Sequence, residues 1–152
     1  MGLQRTDFYV ANDAGQQLWV REIRKPGNTS AARRPVLLVH GARVPGLPSF
    51  DLPVEGGSPA AVLAEAGHDV YLMDVRGYGR SDRPTEMQAP PAFDSTLVRA
   101  NEAAQDIAVV VDELCRRTGV AQVALLGWAT GGMWCGFYAA WRPERVEALI
   151  LY

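Results

Sequence analysis

Leu125-Leu126-Gly127-Trp128-Ala129-Thr130-Gly131-Gly132 reads as an apolar strand, a sharp turn flanked by glycines, and the start of a helix. The strand begins at Val123, and its run of large apolar residues suits a strand buried on both faces of a parallel sheet. The helix, Thr130 to Trp141, is apolar nearly all round, which predicts burial. A further strand follows at Glu147 to Tyr152. Ala129 stands at the apex of the turn, where a methyl group cannot attack anything.

The same alternation runs backwards along the chain. Phe8-Tyr9-Val10 and Leu18 to Ile23 flank Asn12-Asp13-Ala14-Gly15, which predicts an N-terminal β-hairpin. Pro35 introduces the apolar strand Val36 to Val39, and His40-Gly41 ends it. A long proline- and glycine-rich loop is expected next. Ser58 is a good N-cap and Pro59 a good first residue for a helix Ala60 to Ala66, which stops at Gly67. Val70 to Met73 is another buried strand, and Asp74 to Pro91 reads as loop. In the helix Asn101 to Thr118, the residues Ile107, Val110, Val111 and Leu114 make one apolar stripe, with Gly119 as its left-handed cap. Strands alternating with helices predict an α/β fold. Its sheet is mostly parallel, with an N-terminal hairpin, helices on both faces and roughly the first six strands supplied by this chain.

Composition narrows the function classes. The 152 residues are 48% hydrophobic and 21% charged with a formal net charge of −2, as in a globular protein with a real core. No basic run interleaved with aromatics suggests a nucleic-acid partner. No apolar run reaches the ~18 residues of a membrane span, and the N-terminus lacks a signal-peptide core. A cytoplasmic location is therefore expected. Cys115 and Cys135 lack metal-ligand spacing and read as reduced core residues. No metal site and no cofactor is expected.

Three motifs, each directly after a buried strand, occur in a fixed order. They are His40-Gly41-Ala42-Arg43, then Asp74-Val75-Arg76-Gly77-Tyr78-Gly79-Arg80-Ser81-Asp82-Arg83-Pro84, then Gly127-Trp128-Ala129-Thr130-Gly131-Gly132. Together they resemble the α/β-hydrolase superfamily in its serine esterase, lipase and C–C hydrolase branch, from the first hairpin to Tyr152. The third matches the nucleophile elbow, G-x-S-x-G, with alanine at the central position.

The resemblance implies that Ala129 occupies the nucleophile position. It also implies that the backbone N–H groups of Thr130 and Ala42 form the oxyanion hole. Serine is the expected residue in an active form. Trp128 precedes the position, whereas relatives with an aspartate nucleophile usually carry tryptophan after it; cysteine is a further alternative. Two origins of Ala129 stay open: an engineered serine-to-alanine change, which the intact glycines favour, and a naturally inert member. Arg43, Phe50, Asp51 and Trp128 are candidates for substrate binding. His40 is expected to brace the oxyanion loop, and Asp74, Arg76 and Ser81 to tie down theirs. His68 lies before a strand, at the end away from the active face.

The function implied is hydrolysis of an ester, thioester, lactone or related carbonyl compound through an acyl-enzyme. A noncatalytic ligand-binding protein with native Ala129 is the alternative. In the family the acid and histidine of the triad follow the nucleophile in sequence. Residues 1–152 are therefore expected to be the N-terminal part of one core domain. The cap, the acid and the histidine would lie in a missing segment or a separate chain. Expected partners are a small acyl substrate and that remainder; a homo-oligomer is left open.

Overall fold

A computed structural model describes residues 2–27, 35–90 and 98–152. The N-terminal hairpin pairs β1 (Gln4–Ala11) with β2 (Gln17–Arg24) in antiparallel register. Then come β3 (Pro35–Val39), α1 (Gly46–Phe50), α2 (Pro59–Glu65), β4 (Asp69–Met73), α3 (Ala100–Thr118), β5 (Val123–Gly127), α4 (Thr130–Trp141) and β6 (Val146–Leu151). The sheet has the order β1-β2-β4-β3-β5-β6. β3 lies parallel to both β4 and β5, β5 is parallel to β6, and β2 meets β4 antiparallel. Part of the Asp74 to Pro91 loop is a short 3-10 turn, Thr85–Gln88, and position 91 falls outside the described residues.

Side chains alternate along the strands, so each strand feeds two cores. Leu37, Val39, Tyr71, Met73, Val123 and Leu125 pack on the stripe of α3 and on Trp134, Cys135 and Tyr138 of α4. Val36, Leu38, Val70 and Leu72 turn the other way, onto Phe50, Ala60 and Ala64 of α1 and α2. Burying each large apolar side chain contributes about 1.5–3 kcal/mol, which is why central strands carry almost no polar residues. Ser58 caps α2 by accepting the Ala61 N–H at 2.9 Å, Pro59 opens it, and Gly119 ends α3 at φ 76°. No described helix is long and apolar enough to cross a membrane.

Two expectations fail. The 41–58 segment is not all loop. Its prolines hide α1, which is held from outside rather than by its own propensity. Asp74 Oδ1 accepts the Gly46 N–H at 2.7 Å, and a Cβ at Gly46 would sit 2.7 Å from the Met73 carbonyl oxygen. Nor is α4 buried all round: Met133, Phe137 and Trp141 are 65%, 51% and 52% exposed. They recur every four residues, so one turn-to-turn face of the helix is largely open.

Candidate active site

The parallel strands β3 and β5 are adjacent, so the turns leaving their carboxyl ends meet. Trp128 donates its N–H to the Val39 carbonyl at 3.0 Å, continuing the ladder to the edge of the turn. Ala129 follows at φ 53° and ψ −120°, the only non-glycine residue at positive φ among those described. An L-residue held in such a sparsely populated region costs on the order of 1–3 kcal/mol, and only a framework that dictates the path maintains it.

That framework consists of glycines. A Cβ on Gly127 would lie 2.5 Å from the Gly131 carbonyl oxygen. One on Gly131 would lie 2.4 Å from the carbonyl oxygens of both Val39 and His40. The strand, the turn and the helix can approach this closely only because these Cβ atoms are missing. Thr130 is the first residue of α4, so its N–H has no intrahelical acceptor, and the positive end of the helix dipole faces the same space.

The opposing turn, residues 40–44, is held by side chains. His40 is fully buried between Tyr78 and Trp134, with ring centres 4.8 and 5.9 Å away. Its Nε2 accepts the Val75 N–H at 3.1 Å, which leaves Nδ1 to donate to the Gly41 carbonyl at 2.7 Å. That carbonyl and the Ala42 N–H belong to one planar trans peptide, so fixing the first aims the second in the opposite direction. Tyr78 Oη donates to the Ala42 carbonyl at 2.8 Å and fixes the next peptide in the same way. Burial lowers the His40 pKa, the Gly41 carbonyl and the Asp74 charge acting in the opposite sense, so the ring is neutral near pH 7. With both nitrogens engaged, it cannot serve as a base toward position 129.

Gly41, Ala42, Arg43, Val44, Trp128, Ala129 and Thr130 line a cavity of about 280 Å³. The Gly41 backbone closes its floor, where a Cβ would be 3.2 Å from the Ala129 methyl carbon. Ala42, Arg43, Trp128, Ala129 and Thr130 are therefore brought together. Phe50 is set apart by one ring. It is buried, packs edge-on against Trp128 at 6.4 Å, and lines an adjoining apolar cavity of about 400 Å³ with Leu63, Leu126, Ile150 and Tyr152.

Asp51 lines neither of these two cavities. It is buried and points to the hairpin. Arg5 grips both carboxylate oxygens at 2.9 Å, Ser58 Oγ donates at 2.7 Å, and Arg21 stands 3.3 Å away. Burial alone would raise its pKa, but these partners outweigh it and hold the carboxyl below the usual range. The motif residues of the second loop do tie it down. Asp74 accepts the N–H groups of Gly46 and Arg80, Ser81 bridges the Asp74 carbonyl and the Trp19 N–H, and Arg76 forms a bidentate pair with buried Asp106. Tyr78 and Trp134 are the residues that sequence reasoning left without a role. Gly77 and Gly79, both at positive φ, flank Tyr78 and shape its turn.

Comparison with known proteins identifies the fold family. A family profile described as the alpha/beta hydrolase fold matches residues 34–152. The (lyso)-N-acylphosphatidylethanolamine lipase of Mus musculus is 32% identical over 124 residues, 78% of this chain and 30% of that protein. Epoxide hydrolase 2 of Siraitia grosvenorii is 32% identical over 88 residues, 58% of this chain and 24% of that protein. The chain thus spans about a quarter to a third of the length of these curated relatives. An epoxide hydrolase from Vigna radiata shares the fold at a TM-score of 0.70 and 21% identity, over 97% of this chain and 39% of its own. A CIB-like hydrolase from Thermoplasma acidophilum shares it at 0.68 and 19%, over 99% and 65%. The profile match covers most of the residues, the sheet order places the three motifs on one edge, and the chain belongs to the alpha/beta hydrolase fold family.

Proposed function

We propose that the polypeptide carrying this chain has the site of a hydrolase for esters, thioesters, lactones or related carbonyl substrates, with position 129 as its nucleophile position. The backbone of Ala129, at φ 53° and ψ −120°, carries this reading. Its side chain makes no use of the strain, whereas a serine hydroxyl there would project into the cavity against two N–H groups.

With serine at 129, Oγ would attack the substrate carbonyl while a base takes its proton. The tetrahedral oxyanion would lie between the Ala42 and Thr130 N–H groups; removing a single such donor costs about 10²–10³ in rate. Collapse would expel the protonated leaving group and leave an acyl-enzyme for water to hydrolyse. The base comes from outside this chain's described residues, since His40 is fully engaged and His68 precedes β4 at the other end of the sheet. A further segment of the polypeptide, or a second chain, would supply it together with its orienting acid. As the chain stands, Ala129 makes the site nearly inert; loss of a serine nucleophile in another hydrolase cost about 2 × 10⁶ in kcat.

A second reading follows from the likeness to proteins named epoxide hydrolases. A carboxylate at position 129 would then open an epoxide. Thr130 after the position and Trp128 before it favour serine. The test is Ala129→Ser and Ala129→Asp in the polypeptide that carries the chain, assayed on p-nitrophenyl esters of graded length and on styrene oxide. A burst and turnover of esters by Ala129→Ser is the expected result. Epoxide opening by Ala129→Asp alone would favour the second reading. Binding without turnover in every variant would leave a noncatalytic ligand-binding protein with native alanine.

A further inference from the structure

On the hairpin side of the sheet, far from β6, five charged side chains form a row. Arg5 pairs bidentately with Asp51, Asp51 reaches Arg21 at 3.3 Å, Arg21 pairs bidentately with Asp7, and Asp7 reaches Arg80 at 3.4 Å. The alternation begins and ends on a cation. At its centre, each of the three guanidinium nitrogens of Arg21 has a carboxylate partner. Among the described residues, the Nη1 edge of Arg5 has no acceptor, and Arg80 is held by one long contact to Asp7 and by the face of buried Trp19, 5.0 Å from its guanidinium carbon. Both end members, with Arg21, line one cavity of about 480 Å³, whose remaining walls are Asp51, Leu47 and Pro53. None of these residues lines the cavity beside Ala129.

We propose that this cavity binds a phosphate-class oxyanion, as a free phosphate, a phosphomonoester or a lipid phosphate headgroup. Three guanidiniums face two carboxylates there, in a chain whose formal net charge is −2, so the local excess of positive charge is not a reflection of the whole. A tetrahedral oxyanion between Arg5 and Arg80 would close the row into a ring of alternating sign. Guanidinium suits this task because its fork of donors matches phosphate oxygens and it never loses its charge. The Asp51 carboxylate does not repel the ligand strongly, because Arg5, Arg21 and Ser58 already satisfy its oxygens. Stacking of Arg21 and Arg80 on the Trp19 ring holds the donors in place before binding. Leu47 and Pro53 offer an apolar wall to the body of an ester.

The test uses the polypeptide that carries the chain, at constant ionic strength set with chloride. Inorganic phosphate is titrated by calorimetry and by shift of the unfolding midpoint. Binding to phosphatidylcholine vesicles with and without phosphatidic acid separates the lipid source from the soluble one. We expect saturable binding that weakens by about tenfold or more in Arg80→Gln and is unchanged in Arg83→Gln, an exposed neighbour outside the cavity. Arg80 is 47% exposed at its side chain, so its replacement leaves the fold intact. Absence of saturable binding to both phosphate and vesicles would overturn the proposal. Equal loss in Arg83→Gln would do the same, because it would mean diffuse charge attraction.

Discussion

The two turns that face each other across the candidate site are built on opposite principles. The 127–132 turn is shaped by what its residues lack: without Cβ atoms at Gly127 and Gly131, backbones pass where no side chain fits. The 40–44 turn is shaped by what surrounds it, a buried imidazole and a tyrosine hydroxyl that hold successive peptides. The first is rigid through sterics and should fail completely when altered. The second is rigid through hydrogen bonds and should fail by degrees. A site needing donors from both turns thus has one fixed wall and one adjustable wall.

The largest effect tests the steric wall. Gly131→Ala puts a methyl group 2.4 Å from the carbonyl oxygens of Val39 and His40. We expect a loss of about 3 kcal/mol or more, read as a collapse of the urea midpoint or of soluble yield. Near-wild-type stability would mean that the two strand ends can move apart at little cost.

Next comes the imidazole. His40→Gln disturbs the bonds to Gly41 and Val75 inside a dry core, for an expected loss of about 2–4 kcal/mol in denaturant unfolding at pH 7.5. The same residue sets a pH dependence. Its folded pKa lies below the unfolded value, so between the two only the unfolded chain takes the proton. Stability from this source is complete above about pH 6.5 and declines as the pH falls, by at most about 1.4 kcal/mol per pH unit. His40→Gln should flatten that decline just below pH 6.5, before carboxylates such as Asp51 titrate. An unchanged slope would place the proton elsewhere.

Strain at the apex gives a smaller effect of opposite sign. Ala129→Gly releases the positive-φ cost, partly offset by the extra freedom of unfolded glycine. A gain of about 1–2 kcal/mol is expected by thermal or urea unfolding; a loss would show that the Ala129 methyl packs usefully against Gly41. The smallest change is Tyr78→Phe, which removes one partly exposed hydrogen bond to the Ala42 carbonyl, about 0.5–1.5 kcal/mol. In an Ala129→Ser background it should lower kcat while leaving KM nearly unchanged, because Ala42 would bind only the developing oxyanion.

Most elements of this fold are legible in the chain. Val36 to Val39, Val70 to Met73 and Val123 to Leu126 are short apolar runs bounded by breakers. The Ser58-Pro59 start and the Gly119 stop carry their own capping chemistry. α1 was hidden because Pro45, Gly46 and Pro48 read as breakers, while the contact that makes a helix there comes from Asp74, far along the sequence. Exposure on α4 was hidden because composition reports how apolar a helix is, not how many of its sides have a neighbour. The partners of Asp51 were hidden for a related reason: a carboxylate in a loop can face a substrate or an arginine, and Arg5 and Arg21 lie on the N-terminal hairpin, distant in sequence.

The sequence by itself determined the strands, the helices, the three motifs and the glycine-framed apex at Ala129, because these depend on local period, caps and backbone freedom. Only the tertiary structure decided that β3 and β5 are neighbours, that His40 has no nitrogen left for proton transfer, and that Asp51 belongs to an arginine row. Each of those depends on which distant atoms share a few ångströms of space, and local pattern carries no record of that.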